Sequence, residues 1–230
     1  FPRGGEPTEA NLTQLIKVGK AADATLGIAH DGDADRGMAV DDRGRFIPGD
    51  KLLVLFAGRM GAKKVITTVD ASMSVEELGF EVIRTRVGDV FVSEELKKGG
   101  EFGGEPSGSW IFPQASYCPD GIYAAALLVQ MASQDKLSHQ VDALPSYPIL
   151  RGEIPIENTR MESMEKRLMM LEPISVSAAD GIRLSFEDGW LLVRASGTEP
   201  KIRITAEAKD AKSVETLYNR ALELIQEGHK

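Results

Sequence analysis

Hydrophobic and polar positions follow two different periods along this chain, and the switches between them mark its elements. Leu12, Leu15 and Ile16 recur at helical spacing behind Pro7, which predicts a helix capped by Thr8. The apolar run Leu26, Gly27, Ile28 and Ala29 predicts a strand over 25–29. Residues 37–40 and 45–47 flank Asp41-Asp42-Arg43-Gly44, the pattern of a hairpin turn. Asp50 then precedes the apolar stretch 51–57, which predicts a buried helix.

A second stretch alternates strand and helix periods. It predicts strands at 64–69 and 80–85, helices at 72–79 and 89–98, a short strand at 110–112 and an apolar helix from Pro119-Asp120-Gly121 to about 133. Such alternation points to layered α/β architecture. Residues 144–155 carry three prolines and read as a linker. Beyond them the pattern predicts a helix at 160–171, strands at 174–177, 182–186, 190–194 and 201–208, and a helix at 211–226. In that last helix Val214, Leu217, Tyr218, Ala221, Leu224 and Ile225 share one face. The fold class expected is therefore layered α/β, followed by a smaller α+β C-terminal domain with an antiparallel sheet.

Composition narrows the chemistry. A net charge of −8 over 230 residues argues against a general nucleic-acid binder, which needs a basic face. No apolar run is long enough to span a membrane. Cys118 is the single cysteine, so no internal disulfide forms and a cytoplasmic setting is expected. The opening Phe1-Pro2-Arg3-Gly4-Gly5, with neither Met nor a signal-peptide pattern, reads as the start of a fragment.

Three loops carry candidate chemistry. In His30-Asp31-Gly32-Asp33-Ala34-Asp35-Arg36-Gly37, three carboxylates occupy alternate positions beside an arginine. Three anions so close repel unless a cation binds between them, and an all-oxygen set suits a hard ion such as Mg2+ or Ca2+. Arg36 adds a fork-shaped donor of the kind that grips phosphate. An EF-hand reading fails on Arg36 at its sixth position, Asp42 at its twelfth and a strand where a helix should stand. A solvated acidic turn is the plainer alternative.

The second loop, Gly103-Gly104-Glu105-Pro106-Ser107-Gly108, combines close backbone approach with a carboxylate and a hydroxyl, a set suited to vicinal sugar hydroxyls. A glycine-rich turn with a solvated Glu105 is its plainer reading. The third, Arg194-Ala195-Ser196-Gly197-Thr198-Glu199-Pro200, offers backbone N–H groups, two hydroxyls and an arginine for an anion. Lys201 and Arg203 share one face of the strand that follows. A hairpin with surface charges is the alternative there.

Taken in order, the three loops resemble the α-D-phosphohexomutases, which include phosphomannomutase/phosphoglucomutase and phosphoglucosamine mutase. The resemblance extends from Glu6-Pro7-Thr8 to the final helix. It implies that Asp31, Asp33 and Asp35 bind Mg2+, with Arg36 in the active centre and Asp89, after Gly88, near the substrate. It implies that Glu105 and Ser107 hold sugar hydroxyls, and that Arg194, Ser196, Gly197 and Thr198 hold the phosphate not being transferred. Arg84 and Arg86 either add positive potential or are surface residues of a strand. The domains implied are 1–47, the end of a second mutase domain with the metal loop; 48–147, a third domain with the sugar loop; and 152–230, a phosphate-binding C-terminal domain.

The chain departs from the family in lacking the phosphoserine loop, of the form Thr-x-Ser-His-Asn/Asp-Pro; Ser138-His139-Gln140 is the nearest string. Position 109 is serine where many relatives carry histidine. The implied function is interconversion of hexose 1- and 6-phosphates through a phosphoserine and a bisphosphate, with the N-terminal domains as partners and no activity in this chain alone. Two other classes remain open: an Asp-x-Asp phosphatase with Asp31 as nucleophile, and a non-catalytic module that senses sugar phosphate.

Overall fold

The computed structural model describes residues 3–155, 161–195 and 200–226, with the backbone alone for 161–163. It divides into two units, one ending at Pro145 and one starting at Ser146. In the first unit Thr8 precedes a 3-10 turn, Glu9–Leu12, that runs into α1 (Thr13–Ala21). Thr8 stands at the cap position with extended backbone, but its side chain makes no capping bond.

Three antiparallel strands follow in the order β1 (Gly27–His30), β2 (Gly37–Val40) and β3 (Phe46–Ile47). The predicted hairpin turn lies between β2 and β3 and is organised by one buried carboxylate. Asp41 accepts from the backbone N–H of Arg43 at 3.0 Å and of Arg45 at 2.8 Å, and from Arg45 Nε at 2.8 Å. α2 (Gly49–Arg59) starts earlier than its apolar run suggests and buries seven residues. Among them, Phe56 meets Trp110, Phe112 and Phe102 at ring separations of 5.3, 5.6 and 6.0 Å. Tilted aromatic contacts of this kind give the centre of the core a fixed geometry.

The second sheet has the order β5-β4-β6-β7. β4 (Lys64–Thr68) pairs in parallel with β5 (Glu81–Thr85) on one side and with β6 (Phe102–Gly104) on the other. β7 (Trp110–Ile111) returns antiparallel to β6. Between β4 and β5 the predicted helix is a 3-10 turn, Met73–Leu78, capped by the Ser72 hydroxyl. α3 (Asp89–Leu96) links β5 to β6. The chain therefore leaves the end of β4 towards one neighbour and later comes back on the other, the topology that opens a crevice at the carboxyl ends of parallel strands.

β6 escaped the sequence pattern because Gly103 and Gly104 supply no apolar side chain, yet both are buried. α4 (Gly121–Gln134) matches its prediction, with Asp120 accepting from the Tyr123 amide at 2.7 Å. The short α5 (Leu137–Asp142) was not foreseen. Its first turn is fixed from outside, by Asp42 accepting from the Ser138 amide at 2.9 Å and hydroxyl at 3.0 Å.

The second unit is a five-stranded antiparallel sheet. Its first strand corrects the sequence reading: β8 (Ile149–Pro155) occupies most of the expected linker. Leu150, Gly152 and Ile154 alternate with the more exposed Arg151, Glu153 and Pro155, a strand period that the prolines masked. β8 is an edge strand, where Pro155 costs no ladder bond. After α6 (Met161–Leu168) come β9 (Ser175–Ser177), β10 (Ile182–Phe186), β11 (Gly189–Ala195), β12 (Lys201–Ala208) and α7 (Ala211–Gln226). The sheet order is β8-β12-β11-β10-β9. Leu184, Leu191, Val193, Ile202 and Ile204 pack with Leu168 of α6 and Val214, Ala221 and Ile225 of α7, so the helices cover one face as expected.

Candidate active site

The acidic loop joins β1 to β2 and turns sharply, with Ala34 in the left-handed region at φ +64°. A non-glycine residue there is strained, a condition found where surrounding structure enforces a functional geometry. Asp31, Asp33 and Asp35 each offer an oxygen within 4.8 Å of the others, and they form the one such group of three among the described residues. Their burial is graded: Asp31 is buried, Asp35 half-buried and Asp33 exposed. Arg36 Nε donates to Asp31 Oδ2 at 2.5 Å, and the Arg36 amide donates to Oδ1 at 3.2 Å. Burial alone would raise the Asp31 carboxyl, but these bonds and the guanidinium charge outweigh it and hold Asp31 below the usual carboxylate range. Burial and then the Asp31 charge push Asp35 upwards. A set of hard oxygens with one anchored member and one carboxylate left electrostatically unsatisfied fits a divalent cation such as Mg2+.

Glu105 follows β6 at the carboxyl end of the parallel sheet and is 8% exposed. Its Oε1 accepts from the Gly88 amide at 2.6 Å, and Ser107 Oγ donates to its Oε2 at 3.3 Å. Burial raises the Glu105 carboxyl, and the negative charges of Asp70 and Asp89 add to this. The bonds from Gly88 and Ser107 act the other way, and the net displacement is upwards. Thr67 Oγ donates to the Gly104 carbonyl at 2.9 Å and ties the loop's root to β4. α2 also presses on the loop: a Cβ on Gly49 would lie 1.8 Å from the Pro106 carbonyl oxygen.

The metal and sugar loops meet through the backbone. Arg36 and Ser109 form an antiparallel bridge, and the Gly37 amide donates to the Gly108 carbonyl at 2.9 Å. Thus Asp31, Asp33, Asp35, Arg36, Glu105 and Ser107 stand on two loops fastened side by side. Asp89 opens α3 directly after Gly88, whose amide holds Glu105.

Of Arg84 and Arg86, the first departs from both readings offered for it. Arg84 is neither a surface residue nor a source of free positive potential. Its guanidinium donates to the carbonyls of Thr68, Ala71 and Ser72 and to Glu76, so it clamps the chain after β4. Arg86 is exposed, as the surface reading has it, and lies 4.9 Å above the Phe91 ring.

In the second unit Arg194 belongs to β11, opposite Arg203, rather than to the loop. Its Nε is buried without a hydrogen bond among the described residues, and Asp180 lies 3.7 Å away. Ser196, Gly197 and Thr198 fall outside the described residues. Lys201 and Arg203 do share a face, but Glu153 of β8 pairs with both, at 2.5 and 3.2 Å.

The sequence reading missed the Gly88 amide, Asp70 and Trp110. Asp70 had a signal in its place just past the end of a parallel strand; the other two become partners only through folding. A hollow of about 630 Å³ lined by Thr25, Leu26, Ile28, Val129, Ala132 and Ser133 holds no titratable group.

Comparison with known proteins identifies the family. Three family models match in sequence order: phosphoglucomutase/phosphomannomutase alpha/beta/alpha domain II over residues 1–44, domain III over 48–147 and the C-terminal domain over 157–224. The chain belongs to the phosphoglucomutase/phosphomannomutase family. A Methanosarcina acetivorans protein named "Probable phosphoglucosamine mutase" is 52% identical over all of this chain and 55% of its own length. A Pyrococcus abyssi protein of the same name is 44% identical over all of this chain and 54% of its own length. The crystal structure of a Burkholderia thailandensis phosphoglucomutase/phosphomannomutase family protein superposes with TM-score 0.81 at 26% identity, covering 94% of this chain and 50% of that one. The chain thus spans about half the length of the curated relatives it matches. No helix among the described residues is long and apolar enough to cross a membrane.

Proposed function

We propose that this chain supplies the metal, sugar and distal-phosphate sites of a cytoplasmic phosphohexomutase that interconverts hexose 1- and 6-phosphates. The observation that carries the reading is the fastening of the acidic loop to the Glu105 loop, through Arg36–Ser109 and Gly37–Gly108. A hexose held at Glu105 then lies on the loop pair that also carries the metal ligands. Asp31, Asp33 and Asp35 would hold Mg2+, which supplies charge neutralisation for a transferred phosphoryl group. Glu105 accepts from sugar hydroxyls and Ser107 donates to them. Arg36, anchored on Asp31, faces the phosphate. Arg194, with Ser196, Gly197 and Thr198, takes the distal phosphate, and Asp89 lines the sugar side beside Gly88.

The sugar we assign is glucosamine phosphate. The names of the relatives at 44–52% identity support it. So does the Glu105-Pro106-Ser107-Gly108-Ser109-Trp110 form of the sugar loop.

The phosphoryl donor is a phosphoserine outside these residues, so the 230-residue chain alone binds but does not turn over. The test compares rates on glucosamine, glucose and mannose 1-phosphates for the full-length enzyme, and repeats the assay on this chain alone. Preference for glucosamine 1-phosphate and silence of the isolated chain are expected; turnover by the isolated chain would sink the assignment of the donor.

A further inference from the structure

Trp110 is fully buried, and its side chain does more than fill the core. Its indole Nε1 donates to the Gly37 carbonyl at 2.7 Å, across 73 residues of sequence. Gly37 is the first residue after the acidic loop, and its amide is already given to Gly108 of the sugar loop. Trp110 itself closes that loop: it pairs with Gly104 across the hairpin, one step from the bond between the Glu105 amide and the Ser109 carbonyl at 2.8 Å. Its own carbonyl accepts from Asp120, the cap of α4, at 2.9 Å. One residue therefore holds the exit of the acidic loop, the base of the sugar loop and the start of a helix. Its ring is fixed by Phe56 at 5.3 Å and Phe102 at 6.5 Å, so the donor cannot turn away without disturbing the core.

We propose that Trp110 is a positioning residue that couples the metal loop to the sugar loop, so that loading Asp31, Asp33 and Asp35 orders the hairpin bearing Glu105 and Ser107. The inference rests on the reading of residues 31–35 as a metal loop. A cation drawing the three carboxylates together tightens the turn that ends at Gly37. Gly37 passes the change on because its N–H and C=O are both committed to the hairpin. Neither bond involves a flexible surface side chain, so a shift at Gly37 is carried into the base of the hairpin. Coupling of this kind is a difference in free energy between loaded and unloaded states, and typical values correspond to about 5- to 150-fold in affinity.

The test uses the 230-residue chain, Mg2+ alone and three proteins: wild type, Trp110→Phe, and Phe112→Leu as a core change that leaves both loop bonds in place. Calorimetry reads Mg2+ affinity, and hydrogen exchange reads the amides of residues 103–111 with and without Mg2+. In the wild type and in Phe112→Leu, saturating Mg2+ slows hairpin exchange at least about fivefold. In Trp110→Phe, Mg2+ binds within about threefold of wild type, but the slowing falls below about twofold. Equal slowing in wild type and Trp110→Phe overturns the coupling role, as does a wild-type hairpin indifferent to bound Mg2+. A flat calorimetric titration of the wild type instead overturns the metal reading on which the inference stands.

Discussion

Arg36 holds both oxygens of Asp31, through its side-chain Nε at 2.5 Å and its own amide at 3.2 Å. The Asp31 side chain is 4% exposed and the Arg36 side chain 30%, so this is a partly buried pair at the centre of three carboxylates. Removing one partner of such a pair strands the other charge. Arg36→Gln should therefore lower stability by about 2–3 kcal/mol without divalent ions. Saturating Mg2+ should restore more stability to the variant than it adds to the wild type, because the ion then replaces the lost positive charge. Thermal melts of both proteins with and without Mg2+ check this. An equal Mg2+ increment in the two would show that the guanidinium does not neutralise the cluster.

Glu105 illustrates a site that works against stability. Its carboxyl is raised by burial and by Asp70 and Asp89, so its folded value lies above its unfolded one. A carboxyl with that sign stabilises the fold fully below its unfolded value near 4.5 and loses the contribution as pH rises through the folded value. Glu105→Gln keeps an acceptor for the Gly88 amide and removes the charge. It should raise the melting temperature by about 2–4 °C at neutral pH and leave it little changed near pH 4. The same variant should abolish measurable sugar-phosphate binding. Melting curves across pH, paired with calorimetry, test both halves; a variant less stable at neutral pH would contradict the sign.

Arg84 should be structural. Its guanidinium satisfies the carbonyls of Thr68, Ala71 and Ser72 and pairs with Glu76, with 12% of the side chain exposed. Arg84→Met keeps much of the stem's packing and removes all these bonds, which should cost about 2–3 kcal/mol in urea unfolding. Mg2+ affinity should stay within about twofold, since its partners lie after β4 rather than on the acidic loop. A large fall in Mg2+ affinity with little loss of stability would restore the electrostatic reading of this residue.

What the sequence displayed and what it hid divide along physical lines. Periodicity is local, so α4, α7 and strands β9 to β12 could be read directly, as could the turn organised by Asp41. Spacing of like charges is also local, and it marked Asp31, Asp33 and Asp35. β6 and β8 were lost because glycines and prolines removed the usual strand signal, while burial and edge position supplied a different reason for the same conformation. α5 depends on Asp42, 96 residues away, and six residues carry too little period to announce themselves. The link between the two loops was invisible for a related reason: a tryptophan after a glycine-rich turn reads as core, and nothing in its neighbourhood names Gly37 as its acceptor.

Two glycines give a final, separable test of the two loops. Gly121 begins α4 under the acidic loop, where an added Cβ would meet the Ala34 carbonyl oxygen at 2.6 Å, His30 Cδ2 at 2.9 Å and the Arg36 carbonyl carbon at 3.0 Å. Gly49 begins α2 under the sugar loop, where the three atoms nearest to a Cβ would all belong to the Pro106 backbone, the closest at 1.8 Å. In both cases the obstacle includes loop backbone, so the loop must shift rather than a side chain rotate. Each alanine should lower stability by about 1–3 kcal/mol. Their functional effects should differ. Gly121→Ala distorts the turn carrying Asp33 and Asp35 and should weaken Mg2+ by about tenfold or more, the penalty expected when the groups orienting metal ligands are displaced. Gly49→Ala moves the backbone between Glu105 and Ser107 and should weaken sugar phosphate while Mg2+ affinity holds within about threefold. Calorimetry with each ligand separates the two outcomes. If both variants lost Mg2+ equally, Gly49 would have to act on the acidic loop as well, and the two close approaches would not be independent.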